Sequence, residues 1–84
     1  MDIKTQYEDA LVRVRELQST PGSEAQLRLY SLYKQASAGD CGASRPGPMD
    51  FMARARWESW NGLKGMSNQE AMELYVEYVR SLGA

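Results

Sequence analysis

Apolar residues recur along this chain at helical spacing, and no stretch shows the strict apolar–polar alternation of a half-buried strand. A first helix is expected from about Asp2 to Gln18. Ile3, Tyr7, Ala10, Leu11, Val14 and Leu17 share one face of it, Arg15 sits at the rim of that face, and Ser19-Thr20-Pro21-Gly22 stops it. A second helix should start at Ser23, with Gln26 completing a capping box, and end at Gly39. Its core stripe is Ala25, Leu29, Leu32 and Ala36. A third is expected from an Asp50 N-cap to Leu63 or Lys64, closed by Gly65, with Phe51, Met52, Ala55, Trp60 and Leu63 as its apolar arc. A fourth should start at Ser67, with Glu70 in a Ser-x-x-Glu capping box. Its apolar face, from Ala71 to Leu82, covers more than half the circumference and calls for more than one packing partner.

Three departures from a simple bundle stand out. Gly39 to Met49 holds three glycines and two prolines, which exclude a helix. A connection that long can cross the bundle, and such loops are often functional. Beside the core stripe of the second helix lies a further arc with Tyr30, Tyr33, Lys34 and Ser37, flat and cationic where a surface helix usually carries Glu, Lys and Gln. Arg56 falls inside the apolar arc of the third helix, where a guanidinium must snorkel to water or meet an anion.

With 84 residues, the chain is expected to form a single domain over residues 1–84. It has no His, which removes Ser-His and Cys-His nucleophile pairs and imidazole metal sites. One cysteine, Cys41, excludes an internal disulfide and a Cys-rich zinc site; in a flexible loop with no basic neighbour it is a poor nucleophile. No apolar run approaches the roughly 20 residues of a membrane span, and the start lacks the basic-then-apolar order of a signal peptide, so a cytoplasmic protein without stable membrane insertion is expected. The net charge of −1 conceals an uneven distribution. Residues 26–56 carry five basic side chains against two acidic ones, while both flanking segments are acidic. The excess is too small for a nucleic-acid binder and suits a small anionic ligand, although ordinary scatter of surface charge explains it equally well.

Tyr30 and Lys34 stand one turn apart, so their tips can converge on one anion, and Arg56 can add a planar fork suited to phosphate. The Tyr33 ring can serve as a platform for a planar base. Phosphate plus an aromatic base describes a nucleotide. On pattern alone the same tyrosines could be packing residues and the same cations merely solvated. No acid, base or nucleophile is placed for catalysis. Trp57 and Trp60 read as packing residues.

The run Tyr30-Ser31-Leu32-Tyr33-Lys34-Gln35-Ala36-Ser37-Ala38-Gly39-Asp40 resembles the second-helix signature of the acyl-CoA-binding proteins, Tyr-Ser-x-Tyr-Lys-Gln-Ala-Thr-x-Gly-Asp. Arg45-Pro46-Gly47, Asp50-Phe51, Ala55-Arg56-Trp57-Glu58-Ser59-Trp60-Asn61, Leu63-Lys64-Gly65-Met66-Ser67, Ala71-Met72 and Tyr75 follow in the family's order and spacing. The resemblance implies an all-α, four-helix up-down-down-up bundle and an intracellular carrier of long-chain acyl-CoA thioesters. The carrier would be a monomer with no catalytic residue, metal or cofactor, making transient contacts with acyl-CoA-using enzymes. It implies that Tyr30 and Lys34 hold the CoA 3′-phosphate with Arg56 adding charge, that Tyr33 packs on adenine, that Tyr75 lines the ligand site, and that Arg15 helps with the CoA moiety. The family lysines at positions 15 and 56 are arginine here, and the aromatic near the chain start, often Phe, is Tyr7. A rival expectation keeps the fold without the ligand, as a protein-interaction module built on an exposed Trp57, the long loop and the acidic fourth helix.

Overall fold

The computed structural model describes residues 2–17 and 20–83. Four α-helices follow one another: α1 (Ile3–Arg13), α2 (Ser23–Ala38), α3 (Phe51–Asn61) and α4 (Asn68–Ser81). No strand occurs among the described residues. The expected first helix tightens at Val14–Glu16 into a 3₁₀ turn, and its expected last residue, Gln18, lies outside the described residues.

Three starts follow the capping logic. Asp2 accepts from the Thr5 N–H at 2.8 Å, Asp50 from the Ala53 N–H at 3.3 Å, and Ser67 from the Glu70 N–H at 3.0 Å. The start of α2 corrects the expectation. Its N-cap is Gly22 with no side-chain cap, and the Gln26 amide donates to the Pro21 carbonyl at 2.8 Å, so no capping box forms. Gly39 ends α2 at φ +83°, a backbone state that L side chains avoid. Helix α3 ends at Asn61, two or three residues early. The chain then reaches Gly65 through three-residue turns, in which the Leu63 N–H donates to the Trp60 carbonyl and the Lys64 N–H to the Asn61 carbonyl.

Helix α4 packs against both α1 and α2, as its broad apolar face requires, and α3 packs against α2 at the margin. Tyr7, Ala10, Leu32, Ala36, Ala71, Tyr75, Val76 and Val79 form the buried cluster. The Tyr7 and Tyr75 rings meet edge to face at 5.2 Å between centroids and pin α1 to α4. No member of the expected third-helix arc joins this buried cluster: Leu63 packs against it, Ala55 and Trp60 are only partly buried, and two members lie in water. Phe51 and Met52 are 73% and 60% exposed, because they stand at the free end of a helix covered mainly on its α2 side.

The second helix buries two polar residues, Ser31 and Gln35, that the apolar stripe does not include. The Gln35 amide nitrogen donates to the Asp40 carboxylate at 2.9 Å and to the Met66 carbonyl at 2.8 Å. The same Asp40 oxygen accepts from the Gly65 N–H, and the Asn68 amide donates to the Gln35 and Ala36 carbonyls. This network ties the end of α2 to the α3–α4 turn. The loop expected to be flexible is fastened along its length: the Trp60 indole donates to the Gly39 carbonyl at 2.8 Å, the Trp57 indole to the Ala43 carbonyl at 2.7 Å, and Cys41 is buried. Cys41 is therefore a small packing side chain in a fastened segment.

Candidate functional site

On α2, Gln26, Leu29, Tyr30 and Tyr33 recur at intervals of three and four and so share one face. That face borders an open groove of about 450 Å³, completed by Val14 from the end of α1, Thr20 and Pro21 from the connection, and Tyr75 from α4. The lining is mainly apolar carbon with phenol hydroxyls at intervals, which suits an amphiphile better than a compact polar metabolite.

Three expected site residues, Tyr30, Tyr33 and Tyr75, therefore meet in one groove. Tyr33 is 43% exposed, so its ring face is open to a planar group. Tyr75 is buried, and burial pushes its phenol above the ordinary value; the Arg15 charge opposes that rise and Tyr33 adds to it. Arg15 is thus within electrostatic reach of Tyr75, although it is not on the groove wall.

Neither Lys34 nor Arg56 lines the groove. The Lys34 ammonium lies 4.9 Å from the centroid of the Trp60 ring, a cation–π contact. Arg56 precedes Trp60 by four residues on α3. Tyr30, one turn before Lys34, stands on the groove wall. Arg13 is held by Asp9, while Arg45 and Arg54 share Glu58. Among the described residues Lys34, Arg56 and Arg15 have no carboxylate partner, a state they share with Lys4, Arg28, Lys64 and Arg80.

Sequence reasoning missed the roles of Thr20, Pro21 and Gln26, and placed Val14 and Leu29 only in the core. Val14 and Leu29 carried a usable signal: they stand at the edges of their stripes, where a side chain can serve core and groove together. The rival surface loses its anchor, because Trp57 is half-buried and its indole is spent on Ala43. Among the described residues no group of His, Cys, Asp or Glu could hold a metal ion, and no helix is long and apolar enough to cross a membrane.

The sequence profile of the family described as acyl CoA binding protein matches residues 4–79. The chain belongs to the acyl-CoA-binding protein family. An acyl-CoA-binding protein homolog of Drosophila melanogaster is 38% identical over 82 residues, which cover 98% of this chain and 95% of the fly protein. The crystal structure of Oryza sativa acyl-CoA-binding protein 2 superposes with a TM-score of 0.90 at 33% identity, covering 96% of this chain and 90% of the rice one. Enoyl-CoA delta isomerase 2 of Rattus norvegicus is 42% identical over 78 residues, 93% of this chain but only 20% of the enzyme. The bundle is thus the all-α fold of this family, and in the isomerase it accounts for a minor part of the chain.

Proposed function

We propose that the protein binds long-chain acyl-CoA thioesters and carries them in the cytoplasm as a monomer without transforming them. The observation that supports this reading is an apolar, tyrosine-lined groove on whose wall Tyr30 stands one turn before Lys34, a cation with no carboxylate partner among the described residues. An acyl-CoA has both matching parts. Each methylene removed from water contributes about 0.8 kcal/mol, so even a partly sheltered chain supplies much of the affinity. Tyr30, Lys34 and Arg56 take the 3′-phosphate, where a directed O–H, a point charge and a planar fork act together. Tyr33 offers its exposed face to adenine. Val14, Leu29 and the Tyr75 ring shelter the start of the chain, with Arg15 near the CoA moiety. To reach the phosphate, the Lys34 ammonium exchanges its contact with Trp60 for a full anionic partner, a favourable trade because charge-assisted hydrogen bonds exceed an exposed cation–π contact.

The test is a calorimetric comparison of two ligands, a long-chain acyl-CoA and the corresponding acyl-pantetheine, which lacks the nucleotide. Lys34→Ala and Arg56→Ala should each weaken the CoA ester by about 10- to 100-fold and leave the pantetheine ester nearly unaffected. Equal losses for both ligands would remove the phosphate role. No binding of either ligand by the unaltered protein would remove the whole reading.

A further inference from the structure

Tyr7 is buried, 6% exposed, and its hydroxyl has no hydrogen-bond partner among the described residues. The Gln35 side-chain oxygen shares that state, but its own amide nitrogen is committed to Asp40 and Met66, and those bonds account for its burial. Tyr7 has no second polar side-chain atom. A phenylalanine would keep the edge-to-face contact with Tyr75 and avoid the desolvation, so the ring contact does not account for the hydroxyl. A stranded buried donor calls for a reason.

Its place in the fold relates it to the groove. Tyr7 stands seven positions before Val14 on one face of α1, and its ring lies 5.2 Å, centroid to centroid, from that of Tyr75. Val14 and Tyr75 both line the groove. The side chains acting electrostatically on the Tyr7 phenol are Tyr75 and Tyr33, again two lining residues, and no cation is among them. The hydroxyl therefore lies behind the groove wall, at the end where Val14 and Tyr75 shelter the start of an acyl chain. A neutral donor in apolar surroundings suits a neutral carbonyl and not a phosphate.

We propose that the Tyr7 hydroxyl donates a hydrogen bond to the thioester carbonyl of bound acyl-CoA and so selects thioesters over ligands that lack this oxygen. The inference rests on the acyl-CoA reading and adds to it a residue that does not line the groove of the free protein. The carbonyl reaches the hydroxyl as groove side chains part around the ligand, and Tyr33, 43% exposed, has room to move. An orphaned donor gives up no water when the bond forms, so the bond is not offset by desolvation as it is for an exposed hydroxyl. The cost falls on the free protein and the gain on the complex. A site that supplies a buried donor for a ligand oxygen discriminates well against the analogue without it.

Calorimetry on the whole chain tests it, with a long-chain acyl-CoA and the S-alkyl-CoA thioether of the same length, which lacks the carbonyl. Tyr7→Phe should weaken the thioester about tenfold and leave the thioether nearly unaffected. The free variant should melt no lower than the parent, a combination that a merely structural hydroxyl would not produce. Infrared spectra of acyl-CoA carrying carbon-13 at the thioester carbonyl supply a second readout. The carbonyl bound to the unaltered protein should stretch at lower frequency than in hydrocarbon, and Tyr7→Phe should return it towards the hydrocarbon value. Equal thioester affinity of variant and parent, equal losses for thioester and thioether, or a hydrocarbon-like stretch in the parent complex would each overturn the hydrogen bond and leave the acyl-CoA reading standing. Failure of the unaltered protein to bind acyl-CoA at all would remove that reading and this inference with it.

Discussion

Tyr7 carries a hydroxyl that folding removes from water without supplying a partner. Burial, with Tyr75 and Tyr33 adding to it, pushes this phenol up to about 12 from its ordinary 10.0. Because the folded value lies above the unfolded one, the linked stability is fully present below pH 10.0 and is lost as pH rises towards about 12. Tyr7→Phe removes the stranded group but keeps the edge-to-face ring contact, so it should raise the unfolding free energy by about 1 kcal/mol in urea at neutral pH. It should also flatten the loss of stability at high pH. A loss of stability at neutral pH would mean that the hydroxyl has a partner. The site residues divide at this same scale. Tyr30 and Tyr33 were legible from α2 spacing, whereas Tyr75 read by periodicity only as part of the apolar face of α4 and was brought to the site by the family resemblance. The posture of Lys34 over Trp60 was not legible, because it depends on a side chain 26 positions away whose approach only the packing of α3 on α2 decides.

Helix positions were legible from periodicity, and two of the side-chain caps that periodicity pointed to, Asp50 and Ser67, are present. Ser67→Ala should cost about 1 kcal/mol of stability, read as a lower urea midpoint, through loss of the α4 cap. The capping box expected at Ser23 and Gln26 failed for a local reason. Gly22 already takes the extended cap conformation, and Gln26 finds the Pro21 carbonyl, so Ser23 begins the helix proper. The latch between α2 and the α3–α4 turn was invisible to any periodic reading, since Gln35 and Met66 lie 31 residues apart and meet only after the helices pack. Its acid sensitivity can be measured. The Gly65 N–H, and after it the Gln35 amide, hold Asp40 below its ordinary carboxylate value of 3.8. A folded value below the unfolded one makes the linked stability present above pH 3.8 and lost as pH falls through the lower, folded value. Asp40→Asn should therefore make stability less dependent on pH in this acidic range while lowering it at neutral pH. An unchanged acid limb in urea titrations across that range would show that the latch does not depend on the carboxylate charge.

The whole molecule measures 40 × 29 × 15 Å, a flattened body whose buried cluster runs along the α1, α2 and α4 contacts. So flat a shape leaves much of α3 outside the core, which explains why an arc that reads as apolar ends with Phe51 and Met52 in water. The same shape sets the groove between the α2 face and the end of α1. A second, smaller cleft of about 270 Å³ opens near Asp9, Arg13 and Arg80, but Asp9 already compensates Arg13 at 2.6 Å. At this scale acyl-CoA affinity should fall as salt is raised, because part of the attraction is charge on a solvent-facing phosphate. Salt-independent affinity in calorimetry would place the binding energy in the acyl chain alone. The most direct test of the central claim is amide chemical-shift mapping during titration with a long-chain acyl-CoA. The largest changes should fall on Val14, Leu29, Tyr30, Tyr33, Lys34, Arg56 and Tyr75, marking the groove and both cations together. Changes confined to the cleft around Arg13 and Arg80, or an unaltered spectrum at saturating ligand, would contradict it.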